Sequence, residues 1–118
     1  MSLYIIMPAY NEEESLPKVL DSWYPLVEAD QSNRLVVLND GSKDGTMDIL
    51  SSYAATHAQL IAIDKPNSGH GATIYDGYKY ALDCGADYIF QTDSDGQTRS
   101  EEFCQLWDRL ESSGGGRF

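Results

Sequence analysis

Two aspartates separated by one residue occur in the stretch QTDSDGQT, residues 91–98. Side chains two positions apart in extended backbone project to the same side, so the carboxylates of Asp93 and Asp95 repel each other unless a cation lies between them. Mg²⁺ or Mn²⁺ prefers one or two carboxylates together with waters and the phosphates of a ligand. The pair therefore predicts a divalent-metal site that carries a diphosphate. A solvated acidic turn is the alternative interpretation.

Two further polar segments contain residues that could bind a nucleotide. In NDGSKDGT, residues 39–46, the carboxylate of Asp40 could accept hydrogen bonds from the imide or amide edge of a nucleobase. In NSGHGA, residues 67–72, Gly69 and Gly71 allow the backbone to approach a ligand closely where a helix starts and free N–H groups point outward. Turn chemistry alone also favours Gly and Asp at such positions.

Three charged or titratable side chains near these segments are weaker candidates. Lys65 is a further candidate for nucleotide binding. His70 could be a catalytic base, but a loop histidine that hydrogen-bonds near the ligand is the simpler interpretation. Glu12 belongs to an acidic run that suits the first turn of a helix, and it is the member of that run best placed to contact a ligand.

The polar segments follow short apolar runs that predict β-strands. Each run is continuous rather than alternating, which is typical of strands buried on both faces of a parallel sheet. Apolar residues with helical spacing come after each run, and Gly85 is placed to end the third helix. The strands are predicted at 3–7, 35–38, 60–63 and 88–90, and the helices are marked by Leu16 to Val27, Met47 to Ala54, Ile74 to Leu82 and Phe103 to Leu110.

Four βα units in series predict an α/β fold of three layers, in which helices cover both faces of a mainly parallel sheet. Ligands bind such sheets beyond the carboxyl ends of the strands. The first strand is expected to stop at Pro8, and Asp40, Lys65 and Asp93 follow the ends of the other three. The polar segments should therefore gather along one rim.

Composition limits the partners and the location. The chain has 118 residues and a net charge of −11, from 8 basic and 19 acidic residues, and this field would repel a nucleic-acid backbone. No apolar run approaches 18 residues, so we expect no membrane segment in this chain. Cys84 and Cys104 fall in predicted helices, where we expect them reduced and buried. These features favour a cytoplasmic protein.

Four motifs in order resemble the successive signatures of the family 2 glycosyltransferases, which have the Rossmann-like GT-A fold that binds nucleotide-diphospho-sugars. The similarity spans residues 3–110 and is closest to the branch of dolichyl- and polyprenyl-phosphate sugar transferases. The motifs are MPAYNEEESL, VVLNDGSKDGT, KPNSGHGATIYDGYKYA and YIFQTDSDGQ.

The resemblance implies roles at the nucleoside end of the donor. Pro8, Tyr10 and Glu12 match the first-strand motif that lines the nucleoside pocket, and Asp40 matches the aspartate that reads the base. The family often has two consecutive acids at this point, whereas this chain has Asn39 before Asp40. Because the second acid is the usual contact to the base, we expect Asn39 to cause little loss of nucleotide binding.

The resemblance also implies roles at the diphosphate end. Asp93 and Asp95 match the D-x-D motif, which engages the divalent cation, Mg²⁺ or Mn²⁺, and the diphosphate. Ser94 lies between them, where related chains often carry a small residue near the ribose. Gln97 matches a position beside the sugar-diphosphate in the lipid-phosphate branch.

The resemblance predicts that residues 1–118 are the donor-binding part of a glycosyltransferase domain, truncated in mid-fold. Residues 112–116 read as a flexible Ser/Gly loop. The acceptor-side base cannot be assigned, and the acceptor implied by the branch is a lipid phosphate. We expect this chain alone to bind nucleotide weakly, to transfer little sugar, and to self-associate through the unfinished edge of its sheet.

Three other classes of protein share parts of this pattern. A non-catalytic nucleotide- or partner-binding module on the same scaffold stays open. An NAD-dependent dehydrogenase is disfavoured, because no glycine-rich turn follows the first strand. A receiver-type signalling domain would need an acid cluster where the chain has Pro8, Ala9 and Tyr10.

Overall fold

The structure, a computed structural model, describes residues 2–93. It confirms the four predicted strands and the first three predicted helices. The predictions for Ser94, Asp95, Gln97, Cys104, the fourth helix and the loop at 112–116 fall outside the described residues. The elements are β1 (Leu3–Ala9), α1 (Leu16–Glu28), β2 (Arg34–Asp40), α2 (Thr46–Thr56), β3 (Leu60–Lys65), α3 (His70–Asp83) and β4 (Tyr88–Gln91).

The strands form one parallel sheet in the order β3-β2-β1-β4. The two central strands contain the continuous apolar runs and are buried on both faces, as such runs predict. Side chains on one face of the sheet pack with α1 and α2, and those on the other face pack with Ala81 of α3. The predicted three-layer arrangement is therefore confirmed.

The prediction that Pro8 ends the first strand is wrong. β1 continues to Ala9, and Pro8 pairs with Leu38 of β2. The N–H of Thr92 donates to the carbonyl of Ile6, at 2.9 Å, so the proline nitrogen lies on the β4 side, one step beyond the last β1–β4 pair. Because no ladder hydrogen bond is required there, the proline is tolerated inside a central strand.

Helix α3 buries only part of the predicted stripe. Ala81 is buried as predicted, whereas Leu82 is 64% exposed, and the other buried residues are Thr73 and Gly77, at four-residue spacing from Ala81. A Cβ on Gly77 would lie 2.4 Å from Cγ2 of Ile6. The absence of a side chain at Gly77 therefore brings the helix close to β1, a cue that apolar periodicity does not contain.

The end of α3 corrects the expectation for Cys84. The helix ends at Cys84, and Gly85 follows with a φ of 79°, the left-handed conformation that glycine adopts after a helix. Cys84 has a free thiol and is exposed rather than buried, at the C-terminal end of the helix. No helix among residues 2–93 has the length and apolarity to cross a membrane.

Candidate functional site

A cleft lies at the rim where β1, β2 and β4 end. From β1 the chain moves outward to β3 and then returns to the far side of β1, so its direction changes between β1 and β4. Open parallel sheets bind ligands at this position. The cleft has a volume of about 540 Å³, within the range of small-molecule sites. Its lining residues are Pro8, Ala9, Tyr10, Glu12, Asp40, Asn67, Gly69, His70 and Asp93.

Asp40 is the buried carboxylate of this cleft, with 4% of its surface exposed. Its Oδ1 accepts hydrogen bonds from the ammonium of Lys65, at 3.0 Å, and from the N–H of Ser68, at 2.8 Å. Its Oδ2 accepts from the N–H of Gly69, at 3.1 Å. The last residue of β2 therefore holds the turn that leads into α3.

Opposing influences set the pKa of Asp40. Burial, the largest of them, raises the pKa, whereas the hydrogen bonds from Ser68 and Lys65 and the charge of Lys65 stabilise the ionised form. The hydrogen bonds and the positive charge together prevail, so the pKa lies below its ordinary value. At neutral pH the cleft therefore contains an ionised carboxylate.

Gly41 allows the turn at residues 66–69 to pass next to the tip of β2. Gly41 has a φ of 67°, and a Cβ at this position would lie 2.6 Å from the backbone nitrogen of Asn67. Asn67 in turn donates from Nδ2 to the carbonyl of Asp40, at 2.9 Å. A larger residue at position 41 would displace the turn that supplies the Asp40 contacts.

The ammonium of Lys65 is engaged by the protein. It donates to Asp40, to the hydroxyl of Ser68 and to the carbonyl of Pro66, and lies 3.8 Å from the carboxylate of Asp76. Lys65 is not among the described residues that line the cleft, and its side chain is 12% exposed. Its influence on a ligand would therefore pass through Asp40.

Asn39, the residue before Asp40, has partners that suit an amide side chain. Its Nδ2 donates to Oδ1 of Asp64 on the neighbouring strand, at 2.9 Å, and its Oδ1 accepts from the N–H of Ser42, at 3.2 Å. Asn39 is 2% exposed. A carboxylate at this position would face Asp64 without a donor between them, so the amide satisfies the site.

Tyr10 and Glu12 extend from the tip of β1 into the cleft. Tyr10 is 45% exposed, which leaves its ring accessible to a ligand. The N–H of Glu12 donates to the hydroxyl of Thr46, at 3.0 Å, and its carboxylate accepts from the hydroxyl of Ser15, at 3.0 Å. Hydrogen bonds within the protein therefore hold both the backbone and the carboxylate of Glu12.

Asp93 is the predicted metal ligand that the structure describes. Its Oδ1 accepts from Nε2 of Gln91, at 3.2 Å, and lies 3.8 Å from Nε2 of His70. Within residues 2–93, no three acidic, histidine or cysteine side chains are grouped to hold a metal by themselves. Since Mg²⁺ and Mn²⁺ bind diphosphates with one or two carboxylates plus waters, the 40% exposed carboxylate of Asp93 fits that chemistry.

The structure brings most predicted site residues together. Pro8, Tyr10, Glu12, Asp40, Asp93 and Gly69 all line the cleft, whereas Lys65 and Gly71 are not among its described lining residues. Sequence reasoning did not identify Asn67 as a site residue and placed His70 only near the ligand. The signal available in the sequence was the glycine after Asp40, because glycine permits a close backbone approach, but it does not identify Asn67 as the residue that approaches.

Comparison with known proteins identifies the family. The model of the family described as "Glycosyl transferase family 2" matches residues 4–115. A dolichyl-phosphate beta-glucosyltransferase of Trichomonas vaginalis is 33% identical over 91% of this chain and 33% of its own length. An undecaprenyl-phosphate mannosyltransferase of Micrococcus luteus is 29% identical over 96% of this chain and 46% of its own length. The chain spans about a third of the length of the first curated relatives it matches.

Solved structures share the fold. S. aureus TarS 1–349 in complex with UDP-GlcNAc superposes with a TM-score of 0.74 at 25% identity, over 95% of this chain and 32% of that one. The mannosyltransferase PcManGT from Pyrobaculum calidifontis, in complex with GDP-Man and Mn²⁺, superposes with a TM-score of 0.66 at 24% identity, over 79% of this chain and 27% of that one.

Proposed function

The chain belongs to glycosyl transferase family 2, and we propose that it forms the donor-binding part of an enzyme that transfers a sugar from a UDP- or GDP-linked donor to an acceptor. The observation that carries this proposal is the convergence of Tyr10, Glu12, Asp40 and Asp93 on one cleft. These residues come from three separate strand ends. The cleft is large enough for a small-molecule ligand and has few but well-defined polar groups, as ligand sites do.

The nucleoside would bind at the Tyr10, Glu12 and Asp40 end of the cleft. The ionised Asp40 can accept an N–H from the base, and the exposed ring of Tyr10 offers a flat apolar surface beside it. Glu12 can accept from a ribose hydroxyl. Pro8 completes this wall through the rigid end of β1.

The diphosphate would bind at the Asp93 end, where the start of α3 also faces the cleft. Asp93 and Asp95, with Ser94 between them and Gln97 after them, would bind the donor through Mg²⁺ or Mn²⁺. A bound divalent cation offsets the negative charge that develops on a departing nucleoside diphosphate. Gly69 and Gly71 leave the first N–H groups of α3 accessible for a phosphate oxygen, with open space where a side chain would be.

The acceptor is proposed to be a lipid phosphate. Two of the relatives bear the names of enzymes that use dolichyl phosphate and undecaprenyl phosphate. A phosphate oxygen is already anionic, so attack on the sugar needs little help from a general base.

A cytoplasmic location fits the free thiol of Cys84, since reducing compartments keep thiols unpaired.

A calorimetric titration tests the proposal. The chain is titrated with UDP and with GDP, with and without Mn²⁺, and the titration is repeated for Asp93→Asn and Asp95→Asn. Binding of one nucleotide should require the cation, and each variant should weaken it at least ~10-fold, because contacts to charged groups contribute about 1.5–3 kcal/mol.

Asp83→Asn is the matched control. It removes the same charge from an exposed residue at the far end of α3 and should leave the affinity unchanged. Metal-independent binding that survives both aspartate variants would refute the metal assignment. Binding of neither nucleotide to the parent chain would refute the donor site itself.

A further inference from the structure

The loops that follow β1 and β2 are joined by five hydrogen bonds. Each runs between the segment at residues 11–13 and the segment at residues 42–46. The five donor–acceptor pairs are Asn11 N–H to Ser42 Oγ, Lys43 N–H to Asn11 Oδ1, Glu12 N–H to Thr46 Oγ1, Glu13 N–H to Asp44 Oδ2 and Gly45 N–H to Glu13 Oε2. We call this set the loop clasp.

The buried member of the loop clasp is Thr46, which has no exposed surface. Its hydroxyl donates to Oδ1 of Asp44, at 2.5 Å, and accepts the N–H of Glu12, at 3.0 Å. A hydroxyl has one proton, and an ionised carboxylate can only accept. The Thr46 hydroxyl therefore donates its one proton to Asp44. Its oxygen still has a lone pair that accepts the backbone N–H of Glu12.

The same loop imposes an unusual backbone on Asn11. Asn11 has a φ of 52°, the one non-glycine residue with a positive φ among the described residues. Its N–H and its side-chain oxygen are both bonded to the 42–46 segment, at 2.9 and 2.8 Å. Asparagine tolerates this left-handed conformation better than most residues, and the two bonds offset its cost.

The clasp connects two walls of the cleft. Tyr10 and Glu12 lie directly beside one half of it, and Asp40 lies just before the other half. The distance between these walls is therefore set by side chains that do not line the cleft. Thr46 is the member of the clasp that bonds the backbone of Glu12, a residue that lines the cleft.

We propose that Thr46, oriented by Asp44, is a positioning residue that fixes Glu12 for nucleoside binding in the cleft. This inference rests on the proposed function. Under this inference, the 42–46 segment connects β2 to α2 and also contributes to ligand affinity. Loss of the hydroxyl should weaken the nucleoside contacts made by Glu12 and leave the contacts of Asp93 in place.

The test is a double-mutant cycle on UDP affinity in Mn²⁺, measured by calorimetry. Thr46→Val removes the hydroxyl with little change in shape and should weaken UDP binding about 3- to 10-fold, as expected for one buried hydrogen bond. In a Glu12→Ala background the same change should cost less than about 2-fold, because the residue it positions is gone. In an Asp93→Asn background, Thr46→Val should weaken UDP binding by the same factor as in the parent.

Thr46→Ser retains the hydroxyl and should restore the affinity. Thr56→Val, at the other end of the same helix, is the matched control and should bind UDP like the parent. If Thr46→Val does not fold by circular dichroism, Asp44→Ala takes its place, since it removes the partner that orients the hydroxyl and should give the same pattern.

Three outcomes would overturn the inference. UDP affinity in Thr46→Val could equal that of the parent, the loss could persist undiminished in the Glu12→Ala background, or Thr46→Ser could fail to restore binding. In each of these cases the parent still binds UDP, so the donor site survives. A parent chain that binds neither UDP nor GDP would instead overturn the proposed function and this role with it.

Discussion

At Asp40, the protein itself fills three of the acceptor positions of a buried carboxylate. Lys65 and Ser68 occupy Oδ1, and Gly69 occupies one of the two positions on Oδ2. A carboxylate offers about four such positions, so about one remains for a ligand. Asp40, which we propose contacts the base, can therefore accept one further N–H without losing a contact to the turn.

This count predicts that the chain prefers UDP to GDP. Uracil presents one N–H, at N3, whereas guanine presents adjacent donors at N1 and N2 that would compete with Gly69 or remain unpaired. An unpaired buried donor costs about 1–3 kcal/mol, so UDP should bind about 5-fold more tightly or better. Calorimetry with UDP, GDP and N3-methyl-UDP measures this, and equal affinity of UDP and its N3-methyl analogue would contradict it.

The same carboxyl predicts how stability depends on pH. The folded pKa of Asp40 is lowered from the ordinary value of 3.8, so its contribution is fully present above that value and is lost as the pH falls through the folded pKa. Urea unfolding at pH 7, 4 and 3 should show a free-energy loss on acidification that is smaller in Asp40→Asn. An equal loss of unfolding free energy in the parent and in Asp40→Asn would contradict this assignment to Asp40.

Among single residues, the side chains that end strands were predictable and their partners were not. Asp40 and Asp93 follow apolar runs, so the sheet rule places them at one rim. The contacts of Asp40 with Ser68 and Gly69 depend on a close approach between two loops, which requires the left-handed Gly41. Spacing along the chain carries no information on that approach.

Among elements, α3 is the helix whose packing depends on a missing side chain. Gly77→Ala would place a Cβ 2.4 Å from Cγ2 of Ile6 and 3.1 Å from Cδ1 of Leu38, both on the central strands. The helix or the sheet must shift, and we expect a loss of about 1–3 kcal/mol in the free energy of unfolding. Chemical denaturation measures it.

Gly71→Ala in the same helix is the control for the Gly77 prediction. A Cβ at Gly71 meets nothing within 4 Å, so the substitution should be neutral or slightly stabilising. Equal stability of Gly77→Ala and the parent would show that α3 can move away from the sheet without cost.

Among residues 2–93, the number and chain order of the elements followed from the apolar runs, whereas the end of β1 and the buried face of α3 did not. Pro8 looks like a strand terminator, yet the shorter β4 leaves its nitrogen without a required partner. The apolar pattern of α3 predicted Leu82 to be buried with Ala81, yet the close approach at Gly77 turns Thr73 inward beside Ala81 and leaves Leu82 exposed. Both departures depend on neighbouring strands, which local patterns do not describe.

At the scale of the whole molecule, the net charge and the edges of the sheet have opposite effects on self-association. Among residues 2–93, the sheet ends at β3 on one side and at β4 on the other, and unpaired edges favour association. The net charge of −11 opposes it through repulsion that salt screens. We therefore predict self-association that increases with salt.

Sedimentation velocity at several protein concentrations, in low and in high NaCl, measures this association. The sedimentation coefficient should rise with concentration and rise more steeply in high salt. A monomer that persists under all conditions, or association that weakens with salt, would contradict the prediction.

The loop clasp also restricts which changes of chain length the protein tolerates. The residues after Asp40, up to Thr46, supply partners for three consecutive residues after Tyr10, so a residue inserted directly after Asp40 would displace the partners of all five bonds. Length variation in this fold should therefore be rare between the end of β2 and the start of α2.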